Sequence, residues 1–95
     1  MSVIASFADK ETELVFHRVV STKLPQDIQR TARRKLLLID AATDVNDLRV
    51  PPGNRLEKLS GDRAGHYSIR VNDQYRICFA WHTGAAHRVE ITDYH

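Results

Sequence analysis

Several ionisable side chains are of the types that cleavage of an RNA strand requires. This reaction needs a base for the ribose 2′-hydroxyl, cations for the charge that develops on the phosphate, and an acid for the leaving 5′-oxygen. His95 could act as acid or base near neutral pH, because an unperturbed imidazole titrates at about pH 6.5. Glu57 is a second candidate base. Arg70 and Arg76 could hold the scissile phosphate.

Two tyrosines, Tyr67 and Tyr94, could stack on an RNA base, a contact worth roughly 1–3 kcal/mol. Each candidate also has a structural interpretation. A tyrosine in a strand usually packs against its neighbours, and a histidine at a chain terminus is usually solvated. Residue type alone leaves both interpretations open.

The two arginines lie in a predicted β-hairpin at residues 59–81. A three-residue loop at positions 72–74 pairs Ile69 with Ile77 and Tyr67 with Phe79, which places the large apolar groups on one face. Arg70 then lies opposite Arg76 on the other face, where like charges repel. A bound anion or an acidic partner would explain this pair, and an ordinary solvated polar face is the alternative.

The remaining pattern predicts an α+β domain over residues 1–95, with two N-terminal helices on one face of a mainly antiparallel sheet of four to five strands. Asp9 is a plausible N-cap for the first helix, and Pro25 suits the first turn of the second. Ile28, Ala32, Leu36 and Ile39 recur at helical spacing and predict its buried face. The predicted order is a strand at 3–7, helices at 9–20 and 25–42, a helical turn at 43–48, a strand at 54–59, the hairpin, and a strand at 88–92.

Composition excludes several classes of protein. The 95 residues carry a formal net charge of +2, with ten arginines against four lysines, and arginine suits bidentate phosphate contact. The single cysteine, Cys78, rules out an internal disulfide and suits the reducing cytoplasm. No signal peptide or long apolar run is visible, so no membrane partner is expected. No metal-ligand pair and no nucleotide-binding fingerprint occurs, so neither metal nor cofactor is expected.

The most charged part of the chain lies between His17 and Lys35 and includes the first half of the second helix. Residues 18–35 hold six basic side chains and one acid, Asp27. Arg33 and Arg34 lie outside the apolar stripe of this helix. Such a face is most often simply solvated, and the alternative is an acidic partner such as RNA or an acidic protein.

These residues resemble the HigB-type toxins of the RelE/ParE superfamily, and within it the GraT-like group. The resemblance covers essentially the whole chain. It rests on four segments, namely residues 36–43 (LLLIDAAT), 54–63 (NRLEKLSGDR), 66–79 (HYSIRVNDQYRICF) and the tail Asp93-Tyr94-His95.

The resemblance implies a RelE-like fold with a cleft on the open face of the sheet. It also implies cleavage of mRNA on the ribosome by attack of the ribose 2′-hydroxyl, and hence inhibition of translation. The implied partners are the ribosome with its mRNA and a helix-turn-helix antitoxin of the HigA/GraA kind, through which alone operator DNA would be bound. By position, Asp93, Tyr94, His95 and Arg76 match functional residues of the family, and Arg63 and Lys58 are further candidates for contacting phosphate.

Two positions depart from the family pattern. Glu57 stands where well-known relatives have a histidine in the cleft, and Ser60 stands where they have a lysine, which Lys58 could replace in part. The sequence therefore predicts a slower nuclease than the relatives that carry the histidine. The alternative is a toxin without enzymatic activity that binds a protein such as DNA gyrase, as ParE-type members of this fold do.

Overall fold

Two helices precede a four-stranded antiparallel sheet in the computed structural model of this chain, which describes residues 2–61 and 65–93. The strands lie in the order β1-β2-β3-β4, and each neighbouring pair is antiparallel. This arrangement confirms the predicted α+β class. The elements are α1 (Lys10–Phe16), α2 (Gln26–Ala41), 3₁₀ turns at Val45–Arg49 and Pro52–Asn54, β1 (Glu57–Lys58), β2 (His66–Arg70), β3 (Tyr75–His82) and β4 (Ala85–Asp93).

The hairpin between β2 and β3 has the predicted register. Ile69 pairs with Ile77, and Arg70 pairs with Arg76. The Asn72 side-chain oxygen closes the turn by accepting hydrogen bonds from the backbone N–H groups of Gln74 and Tyr75, at 2.9 and 2.7 Å. An asparagine that bonds the backbone two or three residues on is a common turn device, and here it fixes which residues face each other.

The core lies between α2 and one face of the sheet. The four α2 positions that share helical spacing are all buried, as the sequence predicted. They meet the apolar face of the hairpin, which includes Ile69, Ile77 and Phe79, each fully buried. Thr12 of α1 joins α1 to the sheet, because its hydroxyl accepts a hydrogen bond of 2.9 Å from the backbone N–H of Ile91.

The prediction that α1 extends to about residue 20 was wrong. Arg18 adopts a left-handed conformation with φ of 65°. The backbone N–H of Val19 then bonds the carbonyl of Leu14 at 2.8 Å, and that of Arg18 bonds the carbonyl of Val15 at 3.1 Å. This pair of bonds is the Schellman arrangement that closes helices. Val19 lies beyond the end of the helix and is 49% exposed.

The predicted strand at residues 3–7 forms only two isolated parallel bridges to β4, from Ile4 to Ala86 and from Phe7 to Val89. The reason is an irregularity in β4 between these bridges, where Arg88 has φ of 52° and the register against β3 shifts. The Ser6 hydroxyl accepts a hydrogen bond of 2.9 Å from the Arg88 N–H there. A bulge of this kind interrupts regular pairing at a sheet edge.

The predicted strand at residues 54–59 is also shorter than expected. A 3₁₀ turn occupies Pro52–Asn54, and Arg55 follows it in a left-handed conformation with φ of 46°. Asn54 is fully buried and donates to the carbonyls of Leu48 and Val50 at 3.2 and 3.4 Å. Extended pairing therefore begins only at Glu57.

The carboxylate of Asp40, in the last turn of α2, holds the N-terminal segment. One of its oxygens accepts hydrogen bonds from the Ser2 hydroxyl at 2.6 Å and from the backbone N–H groups of Val3 and Ile4 at 2.9 and 3.0 Å. Desolvation raises the pKa of this carboxyl, but the hydrogen bonds from Ile4, Ser2 and Val3 outweigh it and hold the pKa below its usual value.

Asp40→Asn should lower the free energy of unfolding at neutral pH by about 1.5–3 kcal/mol, the range for hydrogen bonds to charged groups. Because the folded-state pKa is depressed, the contribution of Asp40 is present above its unfolded-state pKa and is lost as the pH falls through its folded-state pKa. Urea unfolding of both proteins between about pH 2 and about pH 7 should show the difference shrinking in acid. Asp27→Asn, at the opposite end of α2, is the control. A difference independent of pH would contradict this role of Asp40.

Candidate active site

Arg76 on β3 is a buried cation, with 8% of the residue exposed. Its Nε donates to the Ser68 hydroxyl at 2.8 Å, and its Nη2 donates to the backbone carbonyl of Arg55 at 2.6 Å and to that of Ser68 at 3.3 Å. The nearest Glu57 carboxylate oxygen lies 3.6 Å from Nη2. Three groups of the protein therefore fix the guanidinium in one orientation, with a carboxylate beside it.

Arg70, directly opposite Arg76, is paired with the Asp73 carboxylate of the hairpin turn. The repulsion between the two arginines is thus relieved inside the protein, by Asp73 for Arg70 and by Glu57 and two carbonyls for Arg76. Each arginine therefore has a carboxylate partner within the protein, and together they form an organised cationic site. That this site binds an anion or an acidic partner stays a prediction.

Arg55 belongs to this site, and sequence reasoning missed it. Its left-handed backbone turns its own carbonyl towards Arg76 while its exposed side chain reaches the same cleft. Such a conformation is uncommon for a residue other than glycine, asparagine or aspartate. The preceding Pro51-Pro52-Gly53 predicts a break in the chain, but no pattern predicts which carbonyl Arg76 bonds.

These groups line an open cleft of about 660 Å³ at the end of the hairpin. Arginines outnumber carboxylates among its lining residues, so the cleft suits an anion with more than one phosphate contact. The lining residues are Gly53, Arg55, Glu57, Arg70, Asn72, Asp73 and Arg76.

Two of the predicted RNA-contacting residues lie on the other side of the sheet. Glu57 pairs with Ser68 and shares the face of Arg76, whereas Lys58 pairs with Tyr67, because successive strand residues alternate between faces. Tyr67 stacks on Phe79 of the core, with 6.2 Å between the ring centroids. The structure therefore gives Tyr67 a packing role, and Lys58 is not positioned to replace the lysine of the relatives at the Arg76 site.

The end of β4 runs beside the cleft. Thr92 pairs with Arg76 and Glu90 pairs with Cys78, so both lie on the Arg76 face, and the sequence analysis had named neither. A prediction of how β4 pairs with β3 would have placed both residues on this face. Asp93 pairs with Tyr75 on the opposite face, and its carboxylate accepts a hydrogen bond of 3.1 Å from the Gln74 side chain. The predicted residues Arg63, Tyr94 and His95 lie outside the described residues.

Arg33 and Arg34 lie away from these groups, in a second basic surface that we call the arginine groove. It has a volume of about 850 Å³ and is lined by Arg18, Arg30, Arg33, Arg34 and Leu37. The Nε atom of Arg33 is buried there and makes no hydrogen bond with the described residues. The cleft and the arginine groove are thus two separate clusters of guanidinium groups.

Within residues 2–61 and 65–93, no group of three or more histidine, cysteine, aspartate or glutamate side chains could hold a metal ion. In the same part of the chain, neither helix is both long and apolar enough to cross a membrane.

The arrangement in the cleft can bind and polarise a phosphodiester. Fixed guanidinium groups stabilise charge that develops on phosphate oxygens, since they need not reorganise when the charge appears. A carboxylate 3.6 Å from Arg76 can accept a proton from a nearby hydroxyl. Both groups are required for transfer of a phosphoryl group between hydroxyls.

Comparison with known proteins finds similarity to one family. The family model for HigB-like toxins, described as RelE-like toxins of type II toxin–antitoxin systems, matches residues 5–95. The chain is 45% identical to Toxin HigB-1 of Vibrio cholerae over 85 residues, which cover 84% of this chain and 85% of that protein. It is 38% identical to Endoribonuclease HigB of Proteus vulgaris over 98 residues, which cover 98% of this chain and 100% of that protein.

The family model covers nearly the whole chain. The sequence identity between this chain and each of the two relatives is high enough to show a shared fold and family. The two helices and the four-stranded antiparallel sheet agree with a RelE-like fold. The chain belongs to the HigB-like toxins, the RelE-like toxins of type II toxin–antitoxin systems.

Proposed function

We propose that this toxin is an endoribonuclease that cleaves mRNA on the ribosome and thereby stops translation. The observation that carries the proposal is the buried Arg76 guanidinium, fixed by Ser68 and Arg55 beside the Glu57 carboxylate. The full-length similarity to a protein named Endoribonuclease HigB supports the same activity.

In the proposed reaction the scissile phosphate lies against Arg76, with Arg70 and Arg55 contacting the flanking backbone. A base, Glu57 or His95, removes the proton from the ribose 2′-hydroxyl, whose oxygen attacks phosphorus. The bond to the 5′-oxygen breaks, and an acid supplied by the tail segment Asp93-Tyr94-His95 protonates that oxygen. The products are a 2′,3′-cyclic phosphate and a 5′-hydroxyl, so atoms and charge balance without a cofactor.

Type II membership implies an antitoxin, and we propose a helix-turn-helix protein of the HigA/GraA kind that also carries the pair to operator DNA. The ribosome and its mRNA are the proposed target, which places the toxin in the cytoplasm. The basic surface of α2, with Arg33 and Arg34, is available for contact with RNA.

The direct test is to induce the toxin in cells without its antitoxin and to map the 5′ ends of transcripts. The proposal predicts new 5′ ends inside coding regions within minutes of induction. ParE-type toxins of this fold inhibit DNA gyrase instead. Intact transcripts together with DNA breaks would overturn the nuclease proposal and assign this toxin to that second class.

Arg76→Ala should reduce cleavage by at least about 10²-fold, because fixed charge-stabilising donors typically contribute this much. The structure also predicts a loss of stability, since Ser68 and the Arg55 carbonyl both lose their partner. Cleavage of reporter mRNA and thermal unfolding should be measured on the same preparation.

Ser68→Ala and Lys10→Ala are the matched controls for that experiment. Ser68→Ala keeps the guanidinium but removes the partner of its Nε, so it should reduce cleavage less than Arg76→Ala does. Lys10→Ala removes an exposed cation at the start of α1 and should change neither measurement. Full activity of the Arg76→Ala protein at equal abundance would show that Arg76 is not part of the active site.

Glu57→His should raise the rate of cleavage, because an imidazole in that position titrates near neutral pH and general acid–base groups contribute about 10²–10⁴-fold. Glu57→Gln has nearly the same shape without a titratable group and should lower the rate. Rates measured across neutral pH should gain a further limb near about pH 6.5 in the histidine variant, in addition to any limb that His95 gives in all three proteins. Equal rates for the wild type and both variants would show that position 57 takes no part in proton transfer.

A further inference from the structure

Lys35 of α2 lies between the cleft and the arginine groove. Its ammonium donates a hydrogen bond of 2.5 Å to the side-chain oxygen of Asn54. Asn54 is fully buried, and its neighbours in sequence, Gly53 and Arg55, both line the cleft. On α2, the residue before Lys35 is Arg34, which lines the arginine groove. One side chain thus connects the borders of both surfaces.

The anchor of Lys35 is rigid. The Asn54 amide nitrogen donates to the carbonyls of Leu48 and Val50, which fixes its oxygen towards α2. An ammonium group has three donors, and Asn54 takes one of them. Lys35 is therefore held in place at the cleft border with hydrogen-bonding capacity for a further acceptor.

The electrostatic setting of Lys35 favours binding of an anion. Desolvation lowers the pKa of this half-buried lysine, and the charges of Arg34 and Arg70 lower it further. Within residues 2–61 and 65–93, no carboxylate oxygen lies within 4 Å of its ammonium. A cation held among cations costs free energy, which a bound phosphate would offset.

The arginine groove shows the same excess of positive charge. Arg30, Arg33 and Arg34 lie three and four residues apart, so their side chains share one face of α2, where like charges repel. Arg18, displaced by the left-handed end of α1, adds a fourth guanidinium to this face.

We infer that Lys35 joins the cleft and the arginine groove into one phosphate-binding track, along which an RNA strand continues across α2 beyond the cleaved nucleotide. This inference rests on the proposed nuclease function and names the path of its substrate. The strand would place its scissile phosphate at Arg76, a neighbouring phosphate at Lys35, and more distant phosphates at Arg34, Arg33 and Arg30.

RNA fits this track better than an acidic protein does. Protein interfaces place apolar and aromatic groups at their centre and exclude charge from it. Leu37 is the single apolar residue that lines the arginine groove, against four arginines. Planar guanidinium forks at short intervals match phosphate oxygens, and the proposed track leads away from a cleft suited to phosphodiester chemistry.

The test is binding of the full chain to 2′-O-methyl RNA oligonucleotides, which lack the attacking hydroxyl and stay intact. Lengths of about 4 and about 12 nucleotides both fall within the range of about 4–16 nucleotides that single-strand binding folds occupy. The wild-type protein should bind the long oligonucleotide more tightly. Lys35→Gln, which keeps a donor for Asn54, and the double variant Arg30→Gln with Arg33→Gln should each weaken that binding.

The salt dependence of RNA affinity distinguishes the loss of phosphate contacts from a general loss of structure. Each cation removed from the track should reduce the slope of log affinity against log salt by about 0.7, the value for single strands. The double variant should weaken binding of the short oligonucleotide less than binding of the long one. Lys10→Gln, with the same change of charge at the opposite end of α1 from Arg18, should match the wild type. Thermal unfolding of each variant verifies that it is folded.

The proposed track would be contradicted by equal affinity for both oligonucleotide lengths. It would also be contradicted if the Lys35→Gln protein bound the long oligonucleotide as tightly as Lys10→Gln does. An arginine-groove variant that loses its antitoxin while binding RNA normally would contradict it too, since the groove would then belong to a protein partner. These outcomes differ from failure of the nuclease proposal, because mapped transcript ends would still show cleavage in cells. Absence of any RNA binding would overturn the track directly.

Discussion

The site depends on one hydrogen-bonded cation, the guanidinium of Arg76. It ties the β2–β3 hairpin, through Ser68, to the irregular segment before β1, through the Arg55 carbonyl. The left-handed backbone of Arg55 turns that carbonyl inwards, and the buried Asn54 fixes the same segment to Leu48 and Val50. A buried ion held by several neutral and charged partners is costly to disrupt. The same contacts that satisfy Arg76 thus build one wall of the cleft and hold Glu57 beside it.

Periodicity of the sequence predicted the features that depend on burying one face of an element. The register of the β2–β3 hairpin and the inner face of α2 both followed from this, because a shift by one residue would place apolar groups in water. Local backbone geometry was not predictable in this way. Arg18, Arg55 and Arg88 adopt positive φ although arginine has no preference for it, and each ends or interrupts an element that the pattern would have continued.

Among the residues of the candidate site, too, some positions follow from periodicity and others do not. Arg70, Arg76 and Glu57 share a face because of strand alternation, which the sequence encodes directly. Contacts between segments far apart in the chain position Arg55, whose carbonyl bonds Arg76, and Lys35, which bonds Asn54 at the border of the cleft. Tyr67 was assigned from residue type and Lys58 from the family resemblance, and alternation places both on the other face. Residue type alone therefore did not predict which of the candidate side chains share the cleft.

The central claim is that this toxin cuts RNA through the ribose 2′-hydroxyl at the Arg76 cleft. It is tested most directly by translating ribosomes supplied with an mRNA that carries a single 2′-deoxy nucleotide on the 5′ side of a mapped cleavage position. The account predicts that cleavage at that position disappears while neighbouring positions are still cut, and that unmodified mRNA yields a 2′,3′-cyclic phosphate. Undiminished cutting at the 2′-deoxy nucleotide would contradict it.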